Sequence, residues 1–346
     1  MPETTFIGKY RLTPQLALRL CEELGPLMRA PQRGTAVPLE FKVLVALHFF
    51  GHGSDQKSVA SDHGIPLSQP RVSRFISEVV TAMNTLPFLQ RHISFPETID
   101  QRKELIQRNY KRFKFPGVLG YVDGAHMPIV APSVHEEQYV NRHQIHSINV
   151  QITADASMLI SNIVARYPGS TNDSFVWANS AIRQKMEDLY RGGEHCWLIG
   201  DSGYPHEPWL HVPFADPAPG TPEANFNRAL RIDRSVVERT IGHLRNRFRC
   251  VSKHRVLEYA PQKAGQIINC VAVLHYQCVR AHIPLPDEEE SSDSEDENDA
   301  AEEQQNNPVP RDHLRNEARR VRDRIVARIP PVQVQPFNPR RRHRRN

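Results

Sequence analysis

The chain has 346 residues, 39% of them hydrophobic and 24% charged, with a formal net charge of +5, enough to bury a good core in one to three domains. No apolar run approaches the ~20 residues of a membrane span, and the first ten residues lack the basic and apolar regions of a signal peptide, so an intracellular protein with no membrane contact is expected. The five cysteines (Cys21, Cys196, Cys250, Cys270, Cys278) form no CxxC pair, which speaks against a disulfide framework or a zinc ribbon and for buried thiols.

The charge is partitioned along the chain. Residues 287–303 carry 11 acidic and no basic residues, residues 311–346 carry 12 Arg against three acids, and residues 1–286 hold 32 Lys plus Arg against 25 acids. A basic body followed by an acidic stretch and an Arg-only tail fits an anionic polymer as partner. A solvated surface gives the same composition.

In chain order, Pro38 opens a helix through Leu39, Phe41, Leu44, Val45 and Leu47 that stops near Gly51 and Gly53. Ser54 heads a short helix through Val59 and Ala60, Gly64-Ile65-Pro66 makes a turn, and Ser68 caps a third helix carrying Val72, Phe75, Ile76, Val79 and Met83. Helix, short glycine turn, helix is the outline of a helix-turn-helix, whose second member would offer Gln69, Arg71, Ser73 and Arg74 to DNA. A plain helical bundle shows the same spacing.

From Val118 the texture becomes strand-like, at residues 118–122, 127–130, 148–153 and 159–165, with Asp155-Ala156-Ser157 turning between the last two. A helix over 173–191, a buried strand over 196–199, a long helix over 222–248 and an apolar helix near 267–276 complete a mixed α/β domain. Residues 287–303 cannot bury apolar surface and are expected to be disordered. Leu314, Ala318, Val321 and Ile325 then sit at helical spacing among arginines, and residues 340–345 form a polybasic cluster of the nuclear-import or nucleic-acid type.

Two aspartates end apolar strands, Asp123 in Tyr121-Val122-Asp123-Gly124 and Asp201 in Ile199-Gly200-Asp201-Ser202-Gly203. A carboxylate at a strand's carboxyl end is poised in a crevice, although Asp-Gly is also an ordinary turn signal. Glu238 lies on the long helix some 90 degrees off the buried stripe of Val237, Ile241, Leu244 and Phe248, on the edge that also carries Arg234 and Arg245. Arg228, Arg231, Arg234, Arg239, Arg245, Arg247, Arg249, Lys253 and Arg255 crowd this segment, as a passing phosphate backbone would require; a simple Arg234–Glu238 pair one turn apart is the plainer reading. Three acids from two strand ends and a helix, brought to one point, would hold the pair of hard cations that phosphodiester cleavage uses. Asp173 is either a further ligand or the cap of the helix it begins. His126, His143 and His146 read as satisfied polar residues, and no fourth soft ligand suggests zinc.

Val122-Asp123-Gly124-Ala125-His126, Tyr139-Val140-Asn141-Arg142, Tyr167-Pro168-Gly169-Ser170 with Asp173, Gly200-Asp201-Ser202-Gly203-Tyr204, Val237-Glu238-Arg239 and Arg247-Phe248-Arg249 together resemble, in order, the Harbinger transposase-derived nucleases of the DDE endonuclease superfamily. The likeness covers roughly residues 10–281. It implies an α/β fold of the RNase H-like type, with catalytic Asp123, Asp201 and Glu238 and with Asp173 as a fourth metal ligand. The cofactor implied is a divalent cation, Mg²⁺ or Mn²⁺, and the substrate implied is DNA, for which the helix-turn-helix outline and the basic helix nominate Arg71, Arg74, Arg234, Arg245 and Arg247 as contacts. It also implies a separate Myb-like DNA-binding partner, and leaves a homo-oligomer open.

The expected organisation is an N-terminal helical, helix-turn-helix-like domain (1–100), an RNase H-like nuclease domain (101–286) and a disordered acidic then Arg-rich tail (287–346). Hydrolysis, or strand transfer by a working transposase, would take place in the nucleus, with the cytoplasm as a second location. The rival reading is a domesticated DNA-binding or scaffold protein without chemistry. On this division, deleting everything from Asp287 onward leaves the core's cleavage intact and weakens nuclear accumulation.

Overall fold

The computed structural model describes residues 1–28, 37–53, 68–286 and 312–329. Five helices precede the sheet domain within this set: α1 (Glu3–Tyr10), α2 (Pro14–Leu24), α3 (Leu39–His52), α4 (Gln69–Met83) and α5 (Leu86–His92). Thr13 caps α2 by accepting from the Leu16 amide at 3.2 Å, with Pro14 in the first turn, as helix starts favour. Helix α3 ends where sequence predicts, because Gly53 takes a positive φ of 61° and closes the last turn onto Phe49. Helix α4 forms with the expected apolar stripe, though Ser68 at its cap position makes no side-chain bond to it. The short helix and turn expected at 54–66 lie outside the described residues, so of the helix-turn-helix outline only the second member is in view.

Helix α6 (Ile99–Phe113) starts with a full capping box, Thr98 and Gln101 each bonding the other's backbone. Its signature, Thr followed three residues later by Gln, was present in the sequence. The sheet that follows has five strands, β1 (Val118–Pro128), β2 (Ser147–Ala154), β3 (Ile160–Pro168), β4 (Trp197–Ile199) and β5 (Leu210–His211), in the order β3-β2-β1-β4-β5. The pairs β1–β2 and β2–β3 are antiparallel, and β1–β4 and β4–β5 are parallel. The segments 118–122 and 127–130 are therefore not two strands but, up to Pro128, one. Asp123-Gly124 does not turn, since Asp123 pairs with Ile152 and Gly124 with Gln151, and an unbroken ladder outweighs a local turn preference.

Helices cover both faces of the sheet. Tyr121, Ala125, Met127, Ile148, Val150 and Ile152 join one core with α9 (Pro222–Arg247) and α10 (Pro261–Arg280). That core continues through Val43, Phe50 and Phe75 of the N-terminal helices. Leu119, Val122 and Leu198 join the other with α7 (Asp173–Ala178) and α8 (Ala181–Arg191). The single helix expected at 173–191 is broken at Ser180, whose hydroxyl donates to Trp177 O at 2.7 Å and accepts from the Arg183 amide at 3.2 Å, restarting the chain as α8. All five cysteines are free and buried, and among the described residues no helix is long and apolar enough to cross a membrane.

The basic helix expected near 314–325 is α11 (Asp312–Val326), and it docks on the body. Ala318, Val321 and Ile325 are buried, Tyr190 donates to Glu317 at 2.8 Å, and the Arg322 guanidinium lies 3.6 Å over the Phe214 ring. The division at residue 287 is thereby corrected: α11 belongs to the packed body, because its three apolar side chains complete a face formed by α8 and α9. Truncation after Pro286 should lower the unfolding midpoint by several degrees, since the buried Val321 and Ile325 side chains contribute about 1.5–3 kcal/mol each before ordering costs. Truncation after Ile329 should leave it unchanged. Scanning calorimetry of the two truncations checks this.

Candidate active site

The register of the parallel pair brings two of the acids together. Tyr121 of β1 pairs with Ile199 of β4, and two residues beyond each stand Asp123 and Asp201. Equal steps along parallel strands reach the same height and the same face. That face looks onto α9, as the Tyr121 hydroxyl reaching Asp233 at 3.5 Å shows. Asp123 is thus inside β1, at the level where β4 has stopped. Asp201 lies in the loop just past β4, its Oδ1 fixed by the Gly203 amide at 3.0 Å, as Asp123 Oδ1 is fixed by the Gly124 amide at 3.1 Å.

Arg234 of α9 stands between the acids. Its Nη1 is 3.5 Å from Asp123 Oδ1 and 3.7 Å from Asp201 Oδ2, while Nη2 donates to Glu238 Oε1 one turn further on. The Arg234–Glu238 pair that helical spacing suggests is formed, but as one arm of a four-membered cluster. Arg234 fills the space between Asp123, Asp201 and Glu238, and among the described residues no three acids, imidazoles or thiols stand at the separations of a metal site.

Asp173 joins from the next layer. The cap of α7 is its neighbour Asn172, which accepts from the Phe175 amide at 2.9 Å. Asp173 instead accepts from Asn149 Nδ2 at 2.8 Å, a side chain that also donates to Thr171 O. A Cβ built on Gly124 would come within 2.3 Å of Asp173 Oδ1, so glycine is required there by the close approach of a carboxylate, not by a turn. Asn149 is a residue that sequence reasoning missed: β2 alternates Ser147, Asn149, Gln151 and Thr153 with apolar residues and is buried along its whole length, so nothing local singles Asn149 out from the other polar positions. Glu207 is another. It accepts from Trp177 Nε1 at 2.9 Å and from two nitrogens of Arg183 at 2.7 and 3.0 Å, tying α7 and α8 to the loop after Asp201.

The electrostatics follow from this crowding. Burial pushes the Asp123 carboxyl well above the usual carboxylate range; Arg234 pulls it back, and Asp201, Asp173 and Glu238 push it up again. Burial works against the charge of Arg234, but Asp123, Glu238 and Asp201 more than offset it and raise its pKa. The Tyr204 hydroxyl, buried beneath the acids with no hydrogen-bond partner among the described residues, is also raised well above its ordinary value, first by burial and then by Asp173, Asp123 and Asp201.

The residues expected to touch DNA divide. Arg71 and Arg74 are exposed on α4, and Arg228, Arg231 and Arg239 on α9. Arg234 points into the acids, and Arg245 donates to His126 O at 2.8 Å. Arg247 corrects the expectation of an outward phosphate contact: it is 3% exposed, and its guanidinium donates to Ile283 O at 2.8 Å and Pro284 O at 2.9 Å. It lies on the inner side of α9, where it holds the chain leaving α10. His126 contacts Ser147 at 3.1 Å and His146 contacts Glu136 at 2.9 Å, in keeping with satisfied polar residues.

Residues 122–276 match the family model described as DDE superfamily endonuclease, a span containing all four acids. The human protein named "Putative nuclease HARBI1" is 34% identical over 274 residues, 78% of this chain and 76% of its own length, and its Bos taurus counterpart is equally similar. The chain belongs to the Harbinger transposase-derived nuclease family. It is a nuclease, and its five-stranded mixed sheet is consistent with the RNase H-like domain of DDE enzymes. The Arabidopsis thaliana protein named ALP1-like is 25% identical over 232 residues, 63% of this chain and 55% of its own length. No solved structure matches the chain.

Two outcomes follow for this nuclease. Burial pushes the Asp233 carboxyl up to about 8, with the Tyr121 hydroxyl pulling it part of the way back. An acid whose pKa is raised on folding keeps its proton in the folded state while the unfolded chain loses it, so stability falls as pH rises from about 4 to about 8 and is level above. Asp233→Asn should flatten that slope, with a gain in unfolding midpoint that grows through this window. Arg247→Glu should cost on the order of 3 kcal/mol of stability, the value of two charged hydrogen bonds, and not merely weaken DNA binding. Denaturant titration reads it.

Proposed function

We propose that this family member is a metal-dependent DNA endonuclease of the DDE transposase type, with Asp123, Asp201 and Glu238 as catalytic ligands of Mg²⁺ or Mn²⁺ and Asp173 as the fourth. The observation that carries the reading is the meeting of three acids, remote in sequence, at one guanidinium. The donor set fits the ions: it is built of carboxylate oxygens, which suit hard cations, and Arg234 already marks the spot as one that positive charge satisfies. When bound, a pair of divalent cations supplies activation of a water or 3′ hydroxyl and stabilisation of the leaving oxygen.

The chain's own residues orient the reaction. The Gly124 and Gly203 amides hold one oxygen of Asp123 and of Asp201, and Asn149 holds Asp173. Arg234 holds Asp123, Asp201 and Glu238 at one point, and with cations bound there its guanidinium would be available to the scissile phosphate. Exposed Arg228, Arg231 and Arg239 of α9, with Arg71 and Arg74 of α4, supply phosphate contacts along the backbone; the second of these sets rests on the helix-turn-helix reading of residues 54–83. The basic cluster at residues 340–345 is the ground for placing the protein in the nucleus, and a Myb-like DNA-binding partner is proposed from the family resemblance alone.

The test is cleavage of supercoiled plasmid by the purified full-length chain with Mg²⁺ or Mn²⁺. Asp123→Ala and Asp201→Asn should reduce cutting to background, and Asp201→Asn should bind DNA equally or more tightly, because it removes negative charge beside phosphate. Wild-type protein that binds DNA but never cuts with either ion would establish the scaffold reading instead.

A further inference from the structure

Beside the acids lies an aromatic pair that the cleavage reading does not use. Phe175 is two residues past Asp173, in a helix whose next two residues, Val176 and Trp177, are buried, yet Phe175 itself is 50% exposed. Its ring meets that of half-buried Tyr167 edge-on, with centroids 5.9 Å apart. Tyr167 sits across the β2–β3 ladder from Asn149, the residue that holds Asp173. The exposed Arg166 guanidinium lies 5.1 Å over the Tyr167 ring, and its Nη2 donates to the Tyr167 hydroxyl at 3.1 Å and to Asn179 O at 3.4 Å. A lone exposed aromatic is ordinary. Here the exposed face belongs to a pair braced by strand, helix and guanidinium, one side chain away from a proposed ligand.

We propose that Phe175 and Tyr167, with Arg166, form a platform that stacks an unpaired nucleobase of the DNA strand at the cut site. The inference rests on the DNA-cleavage reading and adds the form of substrate it favours. The rings offer a π-face to any base, so the contact is sequence-tolerant, and Arg166 brings positive charge to the adjoining phosphate. Fully paired DNA keeps its bases in the helical stack and gains nothing from the platform. A gapped or locally opened duplex does.

The test titrates the full-length chain, in EDTA so that nothing is cut, into a duplex with a short single-stranded gap carrying 2-aminopurine. Binding should quench the fluorophore. Phe175→Ala and the bulk-preserving Phe175→Leu should abolish the quench and weaken binding to gapped DNA by at least about fivefold, with intact duplex unaffected and Phe175→Tyr close to wild type. Half-exposed Phe175 carries little of the core, and unchanged thermal unfolding of the variants verifies that. No quench with wild-type protein, or equal loss on gapped and intact duplex, overturns the platform. Plasmid cutting without a quench defeats the platform alone, whereas a Phe175-dependent quench in a protein that never cuts supports the platform and defeats the cleavage reading.

Discussion

Four carboxylates, Asp123, Asp201, Glu238 and Asp173, stand close enough at one end of the sheet that the last three push the Asp123 carboxyl up, and a counter-charge offsets part of that repulsion. Arg234 does this for three of them, with one guanidinium reaching oxygens from a strand, a loop and its own helix. Like charges crowded in partly buried surroundings are costly unless a counter-charge stands among them. The position of α9 across the sheet is therefore tied to the acids as much as to the apolar packing of Phe226, Leu230, Val237 and Leu244.

The same constraint links stability to chemistry. The arginine that offsets the charge of the acids in the folded protein also fills the space between Asp123, Asp201 and Glu238, which is where the proposed cations would bind. The neighbouring layers keep the acids in place: Asn149 holds Asp173, Gly124 lets it approach β1, and the Glu207 network ties α7 and α8 to the loop beyond Asp201.

The N-terminal helices and α11 extend this body through different elements, the former through α10 and the latter through α9. Helix α10 carries the core from β3 to α4 and α5, so the exposed Arg71 and Arg74 are presented from a rigid base. Arg322 against Phe214 and the buried Ala318, Val321 and Ile325 seat α11 on the body. An acidic stretch thus joins two parts of the packed protein.

The sequence by itself determined the alternation of strands and helices, the long α9, the apolar spacing of α4 and α11, and the three acids with the arginine one turn from Glu238, because periodicity and motif order are local properties of the chain. It could not show that Asp123-Gly124 runs on as strand, since Gly124 is required by Asp173, a residue 49 positions away in the chain. Nor could it show that Arg247 turns inward while Arg239 turns out, because arginines so closely spaced on one helix differ only in what lies across from them. Asp173 could be cap or cluster member on local grounds alone, and tertiary contact decided it: Asn172 takes the cap, while Asn149, from a neighbouring strand, takes the carboxylate. Spacing along a chain specifies which face a side chain occupies, whereas its partner is set by elements that meet only when the chain packs.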